Sequence, residues 1–217
     1  MGPEPAPMTS PTLQGSDLSA RARIREAALA LFASEGFGVS LRTIADATGV
    51  SPALVVHHFG TKEGLKDAVD ESVLRLFLDR FDRIPDDLPA DRLARAMADV
   101  LSQILGTSPV IRGYVRRSLL EETPAGTTIV DQMVSATERG LELLERAGGM
   151  RPAADPEWRP FQVLSVILGP LLFEAVMQRR TGEPAYSPDA VRRRTDANLD
   201  FLARGLFTDG TMGGTAR

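Results

Sequence analysis

Apolar side chains recur at helical spacing along most of the chain, and no stretch alternates apolar and polar residues over the length of a strand. Between residues 19 and 34, apolar positions follow the i, i+3, i+4, i+7, i+8 pattern of an amphipathic helix. Further helical patterns cover 62–83, 90–105, 110–122, 127–147, 158–180 and 189–206, and segments rich in proline or glycine separate them. Together with two short helices described next, these patterns predict an all-α protein of about nine helices.

Two short helices joined by a tight turn are predicted between residues 40 and 59. Ser40 and Ser51 each precede one of them and are typical N-caps, and Pro52 stands in a first turn, where its missing N–H costs nothing. Gly49 stands where a left-handed residue is needed to end the first helix. This is the arrangement of a helix-turn-helix, which places its second helix in the major groove of DNA.

The flanking segments extend this motif on both sides. Gly36 ends the preceding helix, and Phe37 is expected to fold back onto the core. On the other side, Thr61 is the expected N-cap of a fourth helix, and Glu63 suits the positive potential at a helix start.

From residue 24 to residue 65 the chain resembles the TetR-type transcriptional regulators. That segment reads IREAALALFASEGFGVSLRTIADATGVSPALVVHHFGTKEGL. A plain helix-turn-helix lacks both its leading helix and its trailing aromatic-x-x-Lys-Glu-x-Leu. The resemblance implies an N-terminal three-helix DNA-binding domain followed by a larger helical domain for ligand binding and dimerisation. The all-helical remainder is compatible with that family but carries no comparable motif.

These patterns, together with the roles that the resemblance implies, predict four segments along the chain. Residues 1–17 are expected to form a disordered arm, because the first sixteen residues contain four prolines and no apolar run. Residues 18–65 form the predicted helix-turn-helix domain and 66–207 the helical regulatory and dimerisation domain. A glycine-rich flexible tail is expected over 208–217.

Charge and composition are consistent with a regulator that touches DNA over a small area. The net charge is −4, yet six basic side chains outnumber four acidic ones between residues 18 and 66. Elsewhere there are nineteen basic and twenty-five acidic residues, which suits an acidic regulatory domain beside a modest DNA footprint. The chain has no cysteine, no signal-peptide pattern at its start, and a longest apolar run, 163–173, too short for a bilayer. We therefore expect a soluble, cytoplasmic protein.

The second helix of the motif is short, so few of its side chains can reach base edges. Val55 and Phe59 lie one turn apart and should face the core. Hydrogen-bonding readout then falls to His57 and Arg42, and Lys62 at the next helix start suits a phosphate. Completed by what the resemblance implies, the predicted DNA-contacting set is Arg42, Thr43, Pro52, Ala53, Leu54, Val56, His57, His58 and Lys62.

Alternatives stay open for several of these residues. Arg42, His57 and Lys62 could be exposed without touching DNA, and His58 could be a packed, hydrogen-bonded histidine. Val56 departs from the family pattern, which often has tyrosine at that position, and Leu54 replaces a frequent small polar residue. Both changes remove hydrogen-bonding groups, so readout is expected to depend more on Arg42, His57 and DNA shape.

Basic residues before the motif offer a further contact to DNA. Arg21, Arg23 and Arg25 could reach phosphates or the minor groove, or they could form a solvated face. No metal site is predicted at His57 and His58, since adjacent helical side chains point about 100° apart and no third His or Cys exists. No cofactor is predicted either.

The resemblance implies a small-molecule pocket in the C-terminal region and a homodimer. The predicted ligand-binding residues are Met97, Leu101, Tyr114, Arg117, Met133, Phe161 and Met177, and for each the alternative is ordinary core packing or solvation. Residues 163–177 are apolar on more than one helical face, which indicates a second buried surface, either with a partner subunit or around a ligand cavity. The resemblance implies that the segments 158–180 and 189–206 pair with those of a second subunit as a four-helix bundle, which would place two recognition helices on a palindromic operator.

A ligand-responsive repressor is the function that these features favour, and two other functions are alternatives to it. An enzyme is disfavoured because no glycine-rich phosphate loop, metal spacing or acid/base constellation is present. A DNA-binding regulator that acts without an effector, or as an activator, stays open. The effector and the operator are not specified by the sequence.

Overall fold

The computed structural model describes residues 11–85, 87–121, 124–148, 150–153 and 155–206, with side chains described from residue 19 except at 124–128 and 206. Nine helices form the regular structure of this part of the chain. They are α1 (Pro11–Glu35), α2 (Leu41–Thr48), α3 (Pro52–Phe59), α4 (Lys62–Phe81), α5 (Ala90–Thr107), α6 (Pro109–Leu120), α7 (Pro124–Arg146), α8 (Arg159–Thr181) and α9 (Pro188–Leu206). The predicted all-α fold class is confirmed.

The caps predicted for the short helices are present. Ser40 and Ser51 accept hydrogen bonds from the N–H groups of Thr43 and Leu54, at 3.1 and 3.2 Å. Gly49 has φ 68°, the left-handed conformation that ends α2. Each of the two serine hydroxyls satisfies a backbone N–H at a helix start, where no intrahelical partner exists.

The core of the N-terminal domain forms where α1, α2 and α3 meet. The side chains of Ile24, Phe32, Ile44 and Val55 are fully buried there. Phe37 is also buried, and its ring packs edge-on against Phe32 at a centroid distance of 5.7 Å. This packing fixes the angle of α3 and leaves its opposite face outside.

Helix α1 differs from its prediction. It begins at Pro11, so residues 11–17 are helical instead of belonging to an irregular arm, while 1–10 lie outside the described residues. The apolar periodicity starts only at residue 20, which is why the sequence pattern did not extend the helix further toward the N-terminus. The predicted tail over 208–217 also lies outside the described residues.

Helices α4 to α9 form the larger domain. Its core continues from that of the N-terminal domain through Leu65, Val69 and Val73 of α4. A second cluster, centred on Leu93 and Leu144, lies between α5 and α7 and is joined by Leu199 of α9. Because α4 runs from residue 62 to 81, the predicted boundary between 65 and 66 falls inside this helix, which is shared by both domains.

A buried ionic group ties α4 to α6. The Lys66 ammonium donates to Asp70 Oδ2 at 2.7 Å, and the Tyr114 hydroxyl donates to Asp70 Oδ1 at 2.6 Å. Lys66 is 4% exposed and Asp70 2% exposed. Burial raises the pKa of the Asp70 carboxyl, and the hydrogen bonds from Lys66 and Tyr114 oppose that shift. The polar atoms of Lys66, Asp70 and Tyr114 therefore satisfy one another. Removing one of the three side chains would cost a buried polar neighbour one of its interactions.

Candidate DNA-binding interface and effector cavity

The face of α3 that points away from the core is apolar and open. Val55 and Phe59 are buried, as predicted. Val56 is 47% exposed, and Pro52 and Ala53 are exposed beside it. Leu54 is half-buried. A helix with this surface can meet the C5-methyl groups of thymine in a major groove, while it offers few hydrogen bonds.

The cations predicted to contact DNA lie on either side of α3. Arg42 is exposed in the first turn of α2, and no ion pair involves it among the described residues. Thr43 is exposed, but its hydroxyl lies 2.8 Å from the Ser40 hydroxyl and so belongs to the α2 cap. Lys62 is half-buried and is the first residue of α4. Both cations therefore stand at helix N-termini, where phosphate is favoured.

The two histidines have different environments. His57 is exposed and His58 is half-buried, with a distance of 5.4 Å between ring centroids. His58 also packs edge-on against the buried Phe59 ring at 6.1 Å. His57 is thus available to a ligand in the groove, whereas His58 belongs partly to the support of the helix. No group of three His, Cys, Asp or Glu with metal-binding geometry occurs among the described residues.

A glycine at the start of α4 sets how closely α3 approaches that helix. A Cβ atom added to Gly64 would lie 2.3 Å from the carbonyl oxygen of Phe59, closer than side-chain atoms approach a backbone oxygen. The Gly64 N–H also donates to the Thr61 hydroxyl at 3.1 Å, which confirms the predicted cap. Residue spacing does not reveal the role of Gly64, because that role depends on a close backbone contact with Phe59.

The basic residues of α1 lie on a helix and not on an extended arm. The Arg21 guanidinium stacks 5.2 Å from the centroid of the Phe59 ring, so it packs against the end of α3. Arg23 is exposed and Arg25 half-buried. Their contact with DNA stays a prediction.

The end of α6 is bound to the end of α1. The Arg117 guanidinium donates to the Ser34 carbonyl at 3.1 Å, and the Phe37 N–H donates to Glu121 Oε2 at the same distance. Arg117 and Glu121 are themselves paired at 3.1 Å. A Cβ at Gly36, which has φ 91°, would lie 2.6 Å from Glu121 Oε1. These contacts join the end of α6 to the end of α1, the helix that supports the helix-turn-helix.

A cavity of about 550 Å³ lies among α4, α5, α7, α8 and α9. Apolar side chains from all five helices form most of its wall, among them Phe77, Leu101, Leu144, Leu164 and Leu199. This volume and this lining are typical of a site for a small organic molecule.

Three of the seven predicted ligand-binding residues line this cavity, namely Met97, Leu101 and Met133. The other four do not. Tyr114 is fully buried against Asp70, and Arg117 belongs to the junction with α1. Phe161 is 48% exposed on α8, and Met177 lies half-buried near the end of that helix. Residue type alone did not distinguish cavity walls from helix junctions.

Several polar residues of the cavity were not predicted. Tyr186, between α8 and α9, and Arg194, Thr195 and Asn198 of α9 all line it. Thr195 shares a hydrogen bond with Ser102 of α5, with 2.5 Å between the hydroxyl oxygens. The cavity therefore has a polar section built largely by α9.

Helix α8 exposes an apolar stripe on the surface of the single chain. Phe161, Leu172 and Val176 are 48%, 47% and 44% exposed. Ser165 and Gly169 lie between them on the same helical face, and a Cβ added to Gly169 would meet nothing within 4 Å. We call these five residues the α8 stripe.

By length and composition α8 is also apolar enough to cross a membrane, with 22% of its apolar window buried.

The short helices α2 and α3, joined by the turn at Gly49 and held by caps and a buried core, form the helix-turn-helix of a DNA-binding regulator. A profile of bacterial regulatory proteins of the tetR family matches residues 24–69, and one of tetracyclin repressor-like C-terminal domains matches 107–208. The HTH-type transcriptional regulatory protein RaaS of Mycobacterium tuberculosis (strain ATCC 25618 / H37Rv) is 33% identical over 202 residues, 92% of each chain. The chain therefore belongs to the TetR family of transcriptional regulators, a family of DNA-binding proteins and not of enzymes.

Solved structures share the fold at lower sequence identity. A tetR-family transcription regulator from Shewanella sp. PV-4 has a TM-score of 0.67 and 19% identity, covering 87% of this chain and 98% of that one. SmeT, solved as a complex with triclosan, has a TM-score of 0.64 and 20% identity, covering 92% and 97%. TetR-family regulators generally bind DNA as dimers and respond to small-molecule effectors.

Proposed function

We propose that this protein is a cytoplasmic, ligand-responsive repressor that binds a palindromic operator as a homodimer. The observation that carries the proposal is that α4 runs from the cavity to the DNA-binding domain, while α6 packs against the cavity-lining helices α5 and α7 and is bound to α1. Helix α4 lines the cavity through Phe77 and begins with Lys62 beside α3. Helix α6 holds α1 through Arg117 and Glu121.

The mechanism is a shift between two conformations. A ligand that fits the cavity better when α4 and α6 are displaced would favour a dimer whose recognition helices are wrongly spaced for the operator. Titrating candidate ligands into a complex of the protein with its operator tests this directly. If every ligand that binds the cavity leaves operator affinity unchanged, the protein is a regulator without an effector.

The α8 stripe supports the homodimer. An exposed apolar patch of this kind usually marks a protein interface, and small residues at its centre let two helices approach closely. We propose that α8 and α9 of one subunit pack against those of the other. In this arrangement the two copies of α3 read the two halves of the palindrome.

Arg42→Ala and Lys62→Ala are each expected to weaken operator binding without unfolding the protein. If Arg42 contacts a base, its loss should cost about 1–3 kcal/mol and relax preference at one position of each half-site. If Lys62 contacts a phosphate, its loss should weaken all sequences alike and reduce the salt slope by about 0.9 per subunit. Fluorescence anisotropy at several salt concentrations measures both effects.

Arg83→Ala is the matched control, because Arg83 is exposed just beyond the opposite end of α4. Its operator affinity should equal that of the unaltered protein. Unchanged affinity in both the Arg42 and the Lys62 variant would refute the roles proposed for these two cations.

Val56 is expected to read a thymine methyl group. Once the operator is known, replacing the contacted thymine by deoxyuridine removes one methyl and should weaken binding about fourfold, the value of one buried methylene-sized group. The Val56→Ala variant should no longer respond to that replacement. A variant as sensitive as the unaltered protein would show that Val56 does not touch the base.

A further inference from the structure

The polar section of the effector cavity carries a positive charge. Arg194 lies half-buried on α9 and lines the cavity. Its guanidinium lies 4.8 Å from the Tyr186 ring centroid and donates to the Ala185 carbonyl at 2.7 Å. Burial lowers the pKa of Arg194, and the nearby cation of Arg112 acts in the same direction. An arginine stays protonated even so, so a cation is held in a partly desolvated place.

Within the described part of the chain, no carboxylate lies within ion-pair distance of Arg194. The acid that acts on it, Glu174, is paired with Arg116 at 3.5 Å. A second guanidinium, that of Arg112, lies 4.1 Å from the same Tyr186 ring and is hydrogen-bonded to the carbonyls of Leu105 and Gly106. Around Tyr186, three arginines therefore face one carboxylate.

The rest of the cavity wall is mainly apolar. Its other charged side chains are Asp82 and Arg139, which have opposite signs. The sulfur-containing side chains Met97 and Met133 lie among leucine and phenylalanine side chains and can adapt to a flexible chain. A ligand that fills this space must therefore be largely apolar, and one polar end of it can reach Arg194 and Tyr186.

We propose that the cavity binds an anionic amphiphile, with its apolar chain among α4, α5, α7 and α8 and its carboxylate, sulfate or phosphate head against Arg194 and Tyr186. An oxyanion accepts charge-assisted hydrogen bonds from a guanidinium, often two at once, and from a phenolic hydroxyl. It also neutralises the excess positive charge around Tyr186. The ligand class concerns the cavity itself, and only its effect on operator affinity rests on the proposed function.

An acidic groove on α4 could instead favour a ligand with a cationic head group. Asp67, Glu71 and Asp79 line a depression outside the cavity, and Asp82 borders both spaces. A cationic head near this groove would be attracted, and an anionic one repelled. The charge of the head group that binds best therefore shows whether Arg194 or the acidic groove on α4 attracts the ligand.

Three probes with one chain length and different heads test the proposal: decanoate, decanol and decyltrimethylammonium. Isothermal titration calorimetry on the full-length protein, below the micelle concentration of each probe, measures binding without DNA. We expect decanoate to bind at least about tenfold more tightly than the other two, the value of a hydrogen bond to a charged group. Equal affinities, or the tightest binding by the cationic probe, would overturn the proposal.

Variants of α9 assign the effect to Arg194. Arg194→Met should reduce decanoate affinity to that of decanol and leave decanol unaffected. Arg194→Lys keeps the positive charge and should retain part of the preference for decanoate over decanol. If Arg194→Met does not fold, this variant still tests whether Arg194 binds the head group. Arg192→Met is the control, since Arg192 is exposed and paired with Asp189. A decanoate preference that survives Arg194→Met would refute the role of this residue.

Operator binding is then measured separately. Decanoate that binds the cavity but leaves operator affinity unchanged would sustain the ligand class and contradict the ligand-responsive repressor. If decanol and decyltrimethylammonium release the operator and decanoate does not, the ligand-responsive repressor would be sustained and the anionic ligand class contradicted.

Discussion

Replacing Asp70 by alanine is expected to lower the free energy of unfolding by about 3–5 kcal/mol, because it leaves the buried Lys66 ammonium without its carboxylate. Lys66 and Asp70 of α4 are almost entirely buried, and the Lys66 ammonium lies 4.7 Å from the centroid of the Phe37 ring and 5.7 Å from that of the Tyr114 ring. The Tyr114 hydroxyl loses the same partner, which adds to the cost. Denaturant unfolding followed by circular dichroism, at one fixed protein concentration, measures the change.

Two further variants make this result specific. Tyr114→Phe removes one hydrogen bond and leaves the ion pair, so it should cost only about 1 kcal/mol. Asp67→Ala removes an exposed carboxylate of the same helix and should change stability by less than about 0.5 kcal/mol. If Asp70→Ala costs no more than Asp67→Ala, the buried ionic group does not hold α4 against α6.

The second large effect concerns the α8 stripe. Leu172→Glu should convert the proposed dimer to monomers, since it places a charge on a surface that would become desolvated on association. Operator affinity should then fall by at least about 100-fold, because two linked half-site contacts become one. Sedimentation velocity and fluorescence anisotropy on the same samples measure the two changes. Leu172 is exposed in one chain, so the subunit itself should stay folded.

Leu120→Glu is the matched control for this experiment. Leu120 is the last residue of α6 and is 62% exposed, more than Leu172, but it lies outside the α8 stripe. A dimer that persists in Leu172→Glu, or one lost equally in Leu120→Glu, would show that the interface lies elsewhere.

The helix-turn-helix could be predicted from the sequence almost residue by residue. Its caps and turns depend on local chemistry: a hydroxyl three residues before an N–H, a glycine where φ is positive, a proline where no donor is needed. Ser40, Gly49 and Ser51 carry that information in the chain itself, and the structure places them as expected. The start of α1 was missed because no apolar period marks its first turns.

The cavity was harder to predict because its wall depends on how five helices meet. Tyr114 looks like a ligand residue by type, yet it is fully buried and its hydroxyl donates to Asp70 of α4. Arg194, in the run VRRRTD, looks like part of a solvated charged segment. Arg194 is four residues from both Ala190 and Asn198, so the three side chains share one face of α9. This spacing is the signal that could have predicted that Arg194 faces the cavity.

The central claim is that two copies of α3 read DNA as a symmetric pair. Selection of binding sites by the full-length protein from a library of random duplexes tests it most directly. The account predicts enrichment of one half-site in two inverted copies, with centres separated by about one helical turn or a multiple of it. Enrichment of a single unrepeated site, or no enrichment at all, would contradict it.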